Sequence, residues 1–274
     1  MAERELDPED GLPMCEAGEW AEDKHGLLRK YLDISKGPRR QFAHGTGGAT
    51  YIELFAGPGR LFNRETGAAF DGSPLVACKE AARTNSQFTS VHLGDERPDF
   101  CEALVRRLDR IGITPRTYPH DARTAASMII ERLNPYGLNL AFLDPFGFEG
   151  LPFSLIETLA QFKRMDILIH VSAMELQRNL ELYIQQPQCP LDTFAPGWRD
   201  VVRGMKPDIV ARGKILEHWV SRIREAGFKE AKGKPLIRGR NNQALYWLVL
   251  IAKHDLATQF WDEISKEERQ AGLF

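Results

Sequence analysis

The sequence predicts an α/β fold built on a doubly wound, mostly parallel sheet. Three observations carry that expectation. Five short strand-like runs, apolar at Thr50–Ala56 and Leu138–Leu143, recur along residues 49–186, each followed by a stretch of helical period. Five strands separated by helices of roughly ten residues indicate βαβ units and a parallel sheet covered on both faces. The segments between them suit helical crossovers of roughly ten residues, the usual way of joining parallel strands.

Thr50–Ala56 (TYIELFA) reads as the first strand, ended by the turn Gly57-Pro58-Gly59. An extra loop, Leu61–Gly72, follows. Pro74–Arg83 reads as a helix with Ser73 as N-cap and Pro74 at the first helical position. Phe88–Gly94 is the second strand and Pro98–Ile111 a helix with Phe100, Leu104 and Leu108 on one face. Thr114–Tyr118 is a third strand, Thr124–Leu133 a helix, Leu138–Leu143 a fourth strand, Phe153–Phe162 a helix and Asp166–Val171 a fifth strand. A helical stretch near Ala173–Gln186 leads into a loop rich in Pro and Gly, Pro187–Pro207. A helix at Lys214–Ala226, an aromatic-aliphatic strand Ala244–Ile251 and a helix over roughly Leu256–Lys266 complete the pattern.

The chain has 274 residues, 43% hydrophobic and 27% charged, with a net charge of −2. This is ordinary globular composition with length for a sizeable core. It excludes a strongly basic protein but not a local basic face. No apolar run approaches the ~20 residues of a membrane span, and the acidic first residues lack the apolar stretch of a signal peptide. Cys15, Cys78, Cys101 and Cys189 are scattered and form no C-x-x-C pair, so neither a zinc site nor a disulfide framework is expected. The expectation is a reduced, cytoplasmic protein with inert thiols and no metal.

Charge divides the chain further. Residues 1–23 hold nine acids and one base, and 1–19 read as a disordered arm. Residues 20–48 read as an N-terminal helix and loop, 49–186 as the α/β core, and 187–274 as a basic helical insertion with a C-terminal completion of the sheet. Residues 199–240 hold twelve Lys or Arg against five acids. There Arg222, Arg224, Lys229, Lys232, Lys234, Arg238 and Arg240 interleave with Trp219 and Phe228. Backbone attraction with base stacking would suit a single-stranded nucleic acid; a solvated basic face is the plainer alternative.

Ligands of open α/β sheets bind beyond the carboxyl ends of the strands. The first strand delivers Glu53-x-Phe55-x-Gly57-Pro58-Gly59. Glycine there lets a ligand approach the backbone. Position 62 is Phe62, so the third glycine of the dinucleotide fingerprint is missing, which disfavours a nicotinamide oxidoreductase; no G-K-[ST] follows, so there is no P-loop. An acid inside the strand end followed by G-x-G is the first motif of class I S-adenosylmethionine-dependent methyltransferases, which have a Rossmann-like sheet. In that reading Glu53 orients the cofactor ammonium, and Phe55, Gly57 and Gly59 line its methionine end. The second strand delivers Asp95-Glu96 for the ribose hydroxyls, with Asp95 favoured. The third delivers Asp121 for the adenine amine, unless it is an ordinary helix cap. The fourth delivers Asp144-Pro145-Phe146-Gly147, which resembles the [DN]-P-P-[YF] motif of amino-group methyltransferases and the tetrapeptide of tRNA guanine-N2 methyltransferases. There, Asp144 and the adjacent backbone carbonyl, set by Pro145, would accept from an exocyclic amine and Phe146 would stack on the base. Lys24, His25 and Tyr31 on the first helix are candidates to close over cofactor or substrate, unless they merely belong to an amphipathic helix. His254 is a weaker candidate cleft residue.

The chain from about Trp20 to about Ile264 resembles the three-Cys-motif partner (TcmP) family. The matching pieces are Lys24-His25-x-x-Leu28-x-x-Tyr31-Leu32, Tyr51 to Gly59 with Gly72-Ser73-Pro74, and Phe142 to Gly147. Ala244 to Leu248, Ala252-Lys253-His254 and Phe260 to Ile264 complete them. The three cysteines of that name belong to a neighbouring partner protein. The resemblance implies a methyltransferase-like fold, a three-Cys-motif protein as partner and a mobile-element or phage-type setting, but no established reaction. Two functions follow as expectations: an S-adenosylmethionine-dependent N-methyltransferase acting on a nucleic-acid base, or a non-catalytic partner-binding module on that scaffold.

Overall fold

The computed structural model describes residues 6–18, 20–239 and 242–271, with 269–271 in backbone only. Two compact units make it up, Met1–Phe142 and Leu143–Phe274.

The first unit contains strands β1 (Cys15–Ala17), β2 (Ala49–Glu53), β3 (Arg60–Asn63), β4 (Ala69–Asp71), β5 (Ser90–Gly94) and β6 (Arg116–Tyr118), and β7 (Leu138–Leu143) runs to its boundary. Four of these form a parallel sheet in the order β7-β2-β5-β6. Every residue of β2 is buried, which is why its sequence shows no alternation. The chain steps from β2 outward to β5 and β6, then returns to the far side of β2 as β7. The reversal between β2 and β7 is the place where such sheets bind ligands. Register sets Glu53 opposite Phe142, so the two strand ends are level. Asp144 follows Phe142 two residues on.

Helices Trp20–Ile34, Lys36–His44, Ser73–Arg83, Pro98–Asp109 and Ala122–Ile130 complete the first unit. The expected cap at Ser73 is instead Gly72, and the Ser73 hydroxyl is used elsewhere. The expected loop over Leu61–Gly72 is a hairpin, β3 antiparallel to β4, with β1 parallel to β3. Its short mixed-polarity strands carry no clear period. The arm expected to be disordered is, over residues 6–18, fastened to the fold. Asp7 meets Arg60 at 2.8 Å and Asp10 meets Arg107 at 2.9 Å. Its acids are neutralised by guanidinium groups far along the chain, so local charge alone misjudged it.

The second unit contains β8 (Met165–Ser172), β9 (Lys229–Glu230), β10 (Leu236–Arg238) and β11 (Ala244–Ala252). Strand β11 is antiparallel to β8, pairing Leu248 with His170, and antiparallel to β10 and β9. The helices are Phe153–Leu159, Ala173–Gln185, Pro190–Phe194, Trp198–Val201, Ile209–Glu225 and Asp255–Ala271, with a 3-10 turn at Phe148–Gly150. Two of them occupy the segment expected to be loop. Phe194 stacks on Trp219 with ring centroids 5.0 Å apart, and Phe148 packs on Phe194 at 4.3 Å. Among the described residues, no helix is long and apolar enough to cross a membrane.

Candidate functional site

In the first unit the candidate site lies at the turn after β2. Gly57 and Gly59 both take left-handed backbone, at φ 60° and 85°. Their neighbourhoods differ. A Cβ on Gly57 would meet nothing within 4 Å, whereas one on Gly59 would lie 2.6 Å from Leu104 Cδ1. Gly59 therefore serves close packing, and Gly57 borders open space. The Gly57 amide donates to Asp95 Oδ2 at 2.9 Å, and the Arg97 amide donates to Asp95 Oδ1 at 2.9 Å. Asp95 thus joins the first-strand turn to the end of β5. Burial raises its pKa against the lowering effect of those two amides. Phe55 and Gly57 are half-buried, and Glu96 is exposed.

Glu53 is fully buried. Tyr51 Oη donates to Glu53 Oε2 at 2.7 Å and Ser73 Oγ to Oε1 at 2.5 Å. The carboxylate expected to hold a ligand's ammonium is therefore enclosed by the protein's own hydroxyls. Lys24, His25 and Tyr31 are likewise buried, at 8%, 2% and 1% exposure, and His25 lies 6.2 Å from the Phe70 ring. They belong to the packed face of their helix, and the exposed edge expected of a lid residue is not where they sit. Asp121 caps its helix: Oδ1 accepts the Arg123 and Thr124 amides at 3.1 Å and Oδ2 the Thr124 hydroxyl at 2.5 Å. Those bonds lower its pKa, the Thr124 hydroxyl most.

In the second unit, Asp144 Oδ1 lies 2.8 Å from His170 Nδ1. The imidazole meets the Tyr246 ring edge-on at 4.1 Å. Phe148 N donates to Glu175 Oε2 at 2.9 Å, and Tyr183 Oη donates to Oε1 at 2.7 Å. A Cβ on Gly147 would lie 2.7 Å from that Glu175 Oε2, so a larger residue here would push the carboxylate aside. Between the two fastenings Pro145 is buried and Phe146 is fully exposed. Sequence reading missed His170 and Glu175. The visible signals were a histidine near the end of a strand and a glutamate in the first turn of the next helix.

The basic segment differs from its expectation. Trp219 and Phe228, proposed for base stacking, are 1% and 2% exposed. Trp219 shares a buried stripe with Ile215 and Ile223, at spacings of four that mark a core face. Several cations are paired: Arg224 with Glu230, Lys229 with Asp255, and Arg222 near Glu157 and Glu225. Arg240 lies outside the described residues. His254 is exposed, and its Nδ1 accepts the Leu256 amide. Burial pushes the Cys15 and Cys101 thiols up to about 11 and Cys78 up to about 12, so all three stay protonated at neutral pH.

No family model matches the chain, and no curated protein matches it. Among solved structures it is similar to a DUF519 protein from Legionella pneumophila, at 12% identity over 86% of this chain and 85% of that one, with a TM-score of 0.47. A protein proposed to be a hemolysin from Streptococcus thermophilus matches at 16% identity over 90% and 76%, TM-score 0.43. A protein proposed to be an RNA methyltransferase from Pyrococcus horikoshii matches at 11% over 88% and 91%, TM-score 0.36. Likenesses this distant carry no argument about function, which has to rest on the chain's own residues.

Proposed function

We propose that this chain binds S-adenosylmethionine at the turn after β2 and transfers its methyl group to an exocyclic amine of a nucleic-acid base. The bond from Gly57 N to Asp95 Oδ2 carries the reading. It ties a glycine turn at the sheet's reversal point to an acid at the end of the neighbouring strand, the pairing a nucleoside needs. The open space beside Gly57 leaves room for backbone contact with the methionine end. Asp95 retains lone pairs for the ribose hydroxyls, since each oxygen accepts one amide. Asp121 stands after β6 as the candidate acceptor for adenine. Glu53 acts from beneath, holding Ser73 and Tyr51 rather than gripping the ligand.

The bound cofactor would supply a methyl group already activated by the sulfonium. The chain's own task is then orientation. Asp144, in the second unit, would accept a hydrogen bond from the amine and take up the proton that the amine sheds on methylation. His170 steadies that carboxylate through Nδ1. Phe146, exposed at the loop tip, offers a face for the base.

Radiolabelled cofactor incubated with RNA, with DNA and with protein tests the reading. Label on a base nitrogen is expected, and its loss in Asp144→Ala without loss of cofactor binding. A chain that binds neither S-adenosylmethionine nor S-adenosylhomocysteine would contradict it and leave the partner-binding module as the better account.

A further inference from the structure

The N-terminal arm does more than cover the fold. Arg107, on the helix Pro98–Asp109, is 3% exposed and Asp10 is 6% exposed. Arg107 Nε donates to Asp10 Oδ2 and Nη2 to Asp10 Oδ1, both at 2.9 Å, a two-pronged contact. The same guanidinium donates through Nη1 to the carbonyls of Pro13 and Pro58, both at 2.7 Å. One side chain therefore holds the arm and the middle residue of the glycine turn together. The next residue after the turn repeats the pattern. Arg60 donates to Asp7 at 2.8 Å, to Glu9 at 2.8 Å and to Asp71 at 3.3 Å. Gly72 N donates to Gly59 O at 2.8 Å and closes the turn from the hairpin side.

We infer that the arm is a strap on the cofactor turn: Asp10 and Arg107 are positioning residues that set the Pro58 carbonyl, and through it the conformation a ligand meets at Gly57. This rests on the cofactor reading above. Without Asp10, the buried Arg107 guanidinium keeps the Pro13 and Pro58 carbonyls, both at 2.7 Å, and Asp7 at 3.5 Å, and any shift toward Asp7 moves the Pro58 peptide it holds. Fixing the strap should favour the ligand, and by reciprocity the ligand should fix the strap.

Amide hydrogen exchange on the full chain, with and without saturating S-adenosylhomocysteine, tests this. Slower exchange over residues 6–17 in the bound state is expected. Titration calorimetry of Arg107→Lys, which keeps the charge but loses the fork spanning Asp10 and Pro58, should show the dissociation constant rising by about fivefold or more. Asp10→Asn should move it in the same direction. A wild-type chain that binds the ligand while exchange over 6–17 stays unchanged overturns the strap, whatever the variants do, and leaves the cofactor reading standing. A wild-type chain that binds no ligand removes both. If either variant fails to fold, the wild-type exchange decides alone.

Discussion

The amide of Gly57 and the carboxylate of Asp95 meet at 2.9 Å across 38 residues of sequence. The contact makes the first-strand turn and the second-strand end one structural object. Gly57 and Gly59 have unequal roles in it, and substitution should separate them. Gly57→Ala meets no neighbour and suffers only left-handed strain, about 1–2 kcal/mol. Gly59→Ala adds a collision with Leu104, a further ~1–3 kcal/mol. Urea denaturation should rank Gly59→Ala the less stable. Ligand binding should be lost in Gly57→Ala despite its smaller stability change. Equal denaturation midpoints for the two would contradict the assignment.

Glu53 should behave as a structural acid. Truncation to Ala removes the carboxylate that accepts from the Tyr51 and Ser73 hydroxyls in the interior, at about 1–3 kcal/mol. Glu53→Ala is therefore expected to unfold at markedly lower denaturant, and any loss of ligand affinity follows from that. Ser73→Ala should keep most of the stability. A Glu53→Ala chain as stable as wild type would return Glu53 to the role of direct ligand contact.

His92 should shape the acid limb of stability. Burial, then Arg116 and Arg132, push its pKa down to about 4 from 6.5, and Nδ1 lies 2.8 Å from Tyr118 Oη. The folded state therefore binds fewer protons there than the unfolded state. The resulting stability is complete above pH 6.5 and drains away as the pH falls toward 4, by up to about 3 kcal/mol. His92→Asn, which cannot titrate, should flatten the denaturation midpoint over that window. An unchanged slope in the variant would assign the effect to other groups.

Much of the sheet was legible because burial on both faces leaves its mark on composition. Leu138–Leu143 and Ala244 onward are apolar runs, and each is a strand. The hairpin Arg60–Asp71 was not legible, since Arg60, Asn63 and Asp71 are polar and its strands are four and three residues long. The strap was hidden for another reason. Asp10 and Arg107 are 97 residues apart, and no local pattern joins them. At the site, the turn glycines and Asp95 could be read from strand ends. The enclosure of Glu53 could not, because it depends on Ser73 swinging from the expected capping role to a side-chain partner. Trp219 was misread by composition although its spacing from Ile215 and Ile223 pointed to the core.

The loop Asp144–Gly147 should tolerate loss of its tip better than loss of its fastenings. Phe146→Ala removes a fully exposed ring and should leave stability within ~0.5 kcal/mol. Glu175→Ala should destabilise, since it leaves Phe148 N without its acceptor, whereas Gly147→Ala only displaces the Glu175 carboxylate and should cost less. In a methyl-transfer assay Phe146→Ala should weaken substrate binding, whereas Asp144→Ala should lower turnover by about 10²–10⁴. A Phe146→Ala chain that unfolds early would show that the ring packs somewhere in solution.

Isothermal titration of the wild-type chain with S-adenosylhomocysteine, repeated on Asp95→Ala, reaches the central claim most directly. The account predicts one-to-one binding in the wild type, strongly weakened in the variant while its fold is retained. Undiminished binding by Asp95→Ala, or no heat from the wild type at any ligand concentration, would contradict it.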